Sequence, residues 1–171
     1  PHRLIRRQRQ MCIRDRFLSK NKDIDNWFLQ IECFDPHEPF YAPKRFKELF
    51  PTNYDGPILD WPIYDRVKET REEISELKAN YAALVTRVDE YFGKLLDYFD
   101  RYDLWKDTAL ILTTDHGFLL GEHDWWAKNR MPIYNEIAHI PLMIYHPDFK
   151  NKAGARINSL TNPDRTISST P

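Results

Sequence analysis

Thr108-Ala109-Leu110-Ile111-Leu112-Thr113-Thr114-Asp115-His116-Gly117 joins an apolar, β-branched run to a carboxylate, an imidazole and a glycine. Residues 108–114 show no alternation of apolar and polar positions, which predicts a central strand buried on both faces. Its polar end falls where ligands gather in open α/β sheets, at the carboxyl end of a strand.

The sequence just before this run has the clearest period in the chain. Apolar residues recur at Ile74, Leu77, Tyr81, Leu84, Val88, Tyr91, Leu95 and Phe99, in steps of three and four. That spacing places one apolar stripe on a long helix over residues 67–101, with Glu72, Lys78, Arg87 and Lys94 on its other faces. Gly93 costs such a helix about 1 kcal/mol relative to Ala. On the other side, Leu142-Met143-Ile144-Tyr145 is a second apolar run, stopped by Pro147. Residues 26–33 read as a further buried strand. Two prolines then fix the loop Asp35-Pro36-His37-Glu38-Pro39-Phe40. Residues 43–50 suit a short helix opened by a proline, and residues 51–65 a loop. Residues 157–160 suit an edge strand. Strand, long helix, strand, connection and strand make an α/β pattern, with a mixed, mostly parallel sheet flanked by helices.

Composition narrows the classes. With 25 basic and 26 acidic residues the formal net charge is -1, so neither nucleic acid nor an anionic membrane is an expected partner. No apolar run reaches the roughly 20 residues that span a bilayer. Cys12 and Cys33 are too few for a disulfide framework and lack metal-ligand spacing. Residues 1–16 hold six arginines and no apolar period, which suits a basic disordered arm. Within them, Met11-Cys12-Ile13-Arg14-Asp15-Arg16 resembles the translation of a transposon-end sequencing adapter, the kind of segment that fold reasoning sets aside.

Three places could carry chemistry. Asp115 and His116 at the end of a strand make a metal pair: a carboxylate suits hard cations, and the imidazole widens the choice. Alone, Asp115 reads equally well as the cap of a turn. Lys128, in Trp125-Trp126-Ala127-Lys128, could bind a tetrahedral oxyanion or reads as a solvated lysine. His37, held between two prolines, could donate to an oxyanion or act as a general acid; a loop histidine satisfied by backbone is the alternative.

Taken in order, these segments resemble the sulfatase family of the alkaline phosphatase superfamily. The resemblance runs from about Asn26 to Pro147. Asp35-Pro36-His37-Glu38-Pro39 is similar to the family loop whose histidine contacts sulfate. Thr114-Asp115-His116-Gly117 followed by Leu120-Gly121-Glu122-His123 is similar to its second metal-binding segment, and Lys128 matches its sulfate-binding lysine. The resemblance implies a partial alkaline-phosphatase-like sandwich, with residues 17–150 as the C-terminal portion of a catalytic domain and residues 151–171 as a poorly matching tail. It implies Asp115 and His116 as metal ligands and Lys128 and His37 as catalytic residues. The implied cation is Ca2+, with Mn2+ as the alternative, and the implied substrate a sulfated small molecule or glycan.

Two departures qualify the match. The family nucleophile, a Cys or Ser oxidised to formylglycine, sits in a Cys/Ser-x-Pro/Ala-x-Arg motif; Cys12 is followed by Ile13-Arg14 and Cys33 by Phe34-Asp35. The N-terminal acidic pair that completes the metal site has no counterpart either. The expectation is therefore a chain that lacks roughly the first half of a catalytic domain and is inactive by itself. A phosphodiesterase or phosphonate monoester hydrolase of the same superfamily, or a non-catalytic binding piece, are the alternative functions.

Overall fold

The computed structural model describes residues 2–158, with side chains from Met11 onward. It is a mixed helix and strand fold organised along one long helix. The elements are α1 (His2–Asn21), α2 (Lys44–Lys47), α3 (Arg71–Arg101), β1 (Leu110–Thr113), β2 (Leu119–Leu120), β3 (Trp126–Ala127), α4 (Asn135–Ala138) and β4 (Leu142–Tyr145).

The period-3.6 stripe forms α3, but the helix opens at Arg71 rather than at residue 67. Thr70 is extended and closes a capping box: its hydroxyl accepts from Glu73 N at 3.2 Å, and its own N donates to the Glu73 carboxylate at 2.8 Å. The Val67 N–H donates instead to the Asp124 carbonyl at 3.2 Å, and Arg66 bridges to Trp125, so this segment belongs to the loop beyond β2. Leu77, Ala83 and Leu84 on α3 pack with Phe40, Phe46, Trp126 and Ala127. Leu95 and Phe99, further along, pack with Leu18 of α1 and with Leu104. Arg87, expected on a solvated face of this helix, is buried, with Nη1 3.6 Å from Asp35 Oδ2.

The strands depart from expectation in two ways. β1 and β4 pair antiparallel, Leu110 opposite Tyr145 and Thr113 opposite Leu142; β2 and β3 also pair antiparallel. Among the described residues there is thus no parallel pairing. Nor is β1 buried on both faces. Leu110 and Leu112 are half-buried while Ile111 is 49% exposed, because no element among the described residues covers that side.

Residues 26–33 form no strand. Trp27, Leu29 and Ile31 pack around Leu18 and Phe99, but Phe28 is exposed and the stretch has no hydrogen-bonded ladder. Residues 43–50 give the expected short helix, with Pro43 as the residue before α2, and residues 51–65 hold no helix or strand. The arm expected over residues 1–16 is helical from His2 as part of α1. Arg14 anchors it, buried and donating to the Tyr91 carbonyl at 3.1 Å. Ile157 and Asn158 lie in no element, and the rest of the edge strand expected at 157–160 lies outside the described residues.

Candidate active site

His37 and Lys128, far apart in sequence, come together on a carboxylate that the sequence analysis did not single out. Glu38 is 1% exposed. Its Oε1 lies 4.0 Å from Lys128 Nζ, and its Oε2 lies 3.4 Å from His37 Nδ1. Neither carboxylate oxygen has a hydrogen-bond partner. The same His37 Nδ1 lies 2.8 Å from the Glu38 carbonyl, an oxygen that can only accept; Nδ1 therefore carries the proton, and Nε2 is the nitrogen left for a ligand.

Local structure explains the convergence. His37 N donates to the Phe34 carbonyl at 3.0 Å and Phe40 N to the Asp60 carbonyl at 2.5 Å, which ties down both ends of the proline-bounded loop. Phe40 plugs the loop into the core beside α3. On the opposite side, Trp126 and Ala127 of β3 are fully buried, and Trp126 Nε1 donates to Glu69 at 2.7 Å. Lys128 follows at once and is only 10% exposed, so it is not a solvated lysine. Beneath it lies Phe118, whose ring centroid is 5.9 Å from Nζ and which packs edge-on against Phe40 at 5.5 Å. These apolar walls raise the strength of any charge interaction made inside them.

Asp115 and His116 lie three and two residues ahead of Phe118. Asp115 is open, with Oδ1 accepting from His116 N at 3.0 Å and from the Thr114 hydroxyl at 3.2 Å. Partial burial pushes its carboxyl up, but the His116 ring and these hydrogen bonds outweigh that and hold it below the usual carboxylate range. His116 Nδ1 faces the Gly117 carbonyl at 2.8 Å and so carries a proton, while Nε2, 3.5 Å from Asp115 Oδ2, faces the carboxylate as a donor in the charged ring and offers a lone pair once its own proton is lost. Two lone-pair donors facing one another suit a shared cation. They make only part of a coordination sphere: no group of three or more His, Cys, Asp or Glu side chains is placed to hold a metal among the described residues.

The stretch Gly121-Glu122-His123 braces the site instead of entering it. Gly121 takes φ +97°, and Glu122 accepts from Leu120 N at 2.5 Å. The His123 ring stacks on Tyr134 at 3.9 Å and lies 3.1 Å from Glu136 of α4. From α4 the Ile137 carbonyl accepts the Gly117 N–H at 2.8 Å, so the loop carrying Asp115 and His116 is clamped from behind.

The family model described as Sulfatase matches residues 14–169. A choline-sulfatase of Rhizobium meliloti (strain 1021) is 27% identical, over 87% of this chain and 32% of its own length. Human iduronate 2-sulfatase is 30% identical, over 71% of this chain and 26% of its own length. Among solved structures, a sulfatase-like protein of Bacteroides fragilis superposes with a TM-score of 0.64 at 26% identity, over 81% of this chain and 30% of that one. This chain thus spans about a third or less of each relative. With a model match over most of its length, the chain belongs to the sulfatase family.

Proposed function

We propose that an intact protein carrying this chain hydrolyses sulfate esters, with a divalent cation, Ca2+ first and Mn2+ second, held in part by Asp115 and His116. The observation that carries this reading is the gathering of Lys128 and His37 around the buried Glu38 carboxylate, on apolar walls. A tetrahedral oxyanion such as a sulfate monoester meets there one nearly buried ammonium and one imidazole.

Lys128 neutralises charge on the sulfuryl oxygens, most of all as it builds on the oxygen leaving with the product. His37, with Nδ1 engaged by backbone, donates from Nε2 to an oxygen of the same group when both ring nitrogens carry a proton. The cation supplies the charge that activates a nucleophile and polarises the sulfuryl group. The family's formylglycine is expected from sequence that this chain does not hold, since neither Cys12 nor Cys33 stands in the required motif. The chain by itself is therefore proposed to be without turnover. Relatives named for choline and for iduronate support a sulfated small molecule or glycan as substrate class.

Sulfate release by the intact protein tests this. Asp115→Ala removes half of the proposed metal pair and is expected to lower kcat by at least the roughly 10- to 100-fold lost when a metal site loses a supporting residue. Near-normal turnover in that variant would sink the assignment.

A further inference from the structure

We propose that Glu38 is a positioning residue that sets the Lys128 ammonium and the His37 ring for a tetrahedral oxyanion. The inference rests on the reading of Lys128 and His37 as the anion-contacting residues of a sulfate ester hydrolase. Four observations carry it. Glu38 is almost fully buried, so its charge is held away from water at a cost in desolvation. Neither of its oxygens has a hydrogen-bond partner, so the carboxylate is not there to satisfy backbone. Each oxygen instead faces a different cationic or protonated group, Oε1 towards Lys128 and Oε2 towards His37. And the wall beside its partner is aromatic: Phe118 lies 5.9 Å from Lys128 Nζ and packs edge-on against Phe40.

A carboxylate cannot attract the anion. Its effect is geometric. The lysine ammonium has three donors on a long flexible stem, and one anionic neighbour in a low-dielectric wall selects the rotamers that bring Nζ to this point. The ammonium donors are left for the ligand. At 4.0 Å the pair is close enough to orient the ammonium but too long to lock it in a hydrogen bond, so Nζ can move towards an arriving oxyanion. The Oε2 contact does the same for His37 by favouring the proton on Nδ1.

Four forms of the intact protein test the inference: wild type, Glu38→Gln, Lys128→Ala and the double variant. Calorimetric titration with inorganic sulfate is expected to show about tenfold weaker binding in Glu38→Gln, the scale of one misplaced charged hydrogen bond between Lys128 Nζ and the sulfate. In the Lys128→Ala background, adding Glu38→Gln is expected to change affinity by less than about twofold. Melting temperatures read the pairing with no ligand present: the loss on Lys128→Ala should shrink when Glu38→Gln is added, because the double variant no longer buries an unpaired carboxylate. Additive melting losses, or equal loss of sulfate affinity in both backgrounds, overturn the inference. Sulfate ester hydrolysis by the wild type with unchanged sulfate affinity in Glu38→Gln overturns it too, while leaving the proposed reaction standing. Weakened sulfate binding in Glu38→Gln, with no ester hydrolysed by the wild type, keeps the role of Glu38 and refutes the reaction.

Discussion

Gly117 is the residue on which the loop of the candidate metal pair turns. A Cβ placed there would run into the Glu136 carbonyl, a backbone atom held by α4, while its own N–H is bound to the Ile137 carbonyl. Gly117→Ala must push α4 away or break that hydrogen bond. Overpacking of this kind costs about 1–3 kcal/mol, to be read from urea unfolding of wild type and variant. Unchanged stability would mean that α4 yields without resistance. In the sequence this glycine stood out only as the residue after Asp115-His116; its clash partner, nineteen residues on, is a tertiary fact. Glu38 was hidden for the same reason. Next to His37 it reads as one more loop carboxylate, and nothing local announces that Lys128 folds over it. Lys128 and His37 themselves were legible, because the motif around each is written in consecutive residues.

Among the elements, α3 was the most legible, since its apolar residues keep step with the helix period over its whole length. Its start was less so. Val67 continues the apolar spacing, but the Val67 N–H is engaged by Asp124, and only the capping box of Thr70 with Glu73 begins the helix. The polar faces were also misjudged at Arg87, whose burial depends on Asp35 arriving from another loop. α3 gains a further tie to α2 through Glu90, which accepts from Arg45 at 3.0 Å and from Lys94 at 2.8 Å. Those bonds, Arg45 first, lower its carboxyl from 4.5 to about 2. A carboxylate with a depressed folded value contributes stability that is present above its unfolded value and lost as pH falls through the folded one. The contribution should therefore fade between pH 4.5 and about 2. Over that window the melting temperature of wild type should fall further than that of Glu90→Gln, and the two should run parallel above it. Parallel curves throughout would show that solvent screening cancels the pair.

For the whole molecule, the α/β class was legible but the layering was not. An apolar run such as Leu110-Ile111-Leu112 looks the same whether two layers cover it or one. Here Ile111 and its cross-strand partner Ile144 remain exposed on one face of the β1–β4 pair, and Met143, opposite Leu112, is exposed on the other. The candidate metal pair has the same partial character. Asp115 and His116 offer one carboxylate and one imidazole, whereas Ca2+ takes six to eight oxygen ligands and reaches micromolar affinity only with several carboxylates in a rigid site. Metal affinity also depends on a site formed before the ion arrives, and the Asp115 side chain is 82% exposed. The 171-residue chain by itself is thus expected to bind Ca2+ more weakly than micromolar, and Asp115→Ala should leave its melting temperature in millimolar Ca2+ unchanged. Calorimetry of the chain with Ca2+ checks this directly. A micromolar, Asp115-dependent isotherm would require further oxygen donors from within these residues, and the expectation that the site is completed by sequence elsewhere would fall.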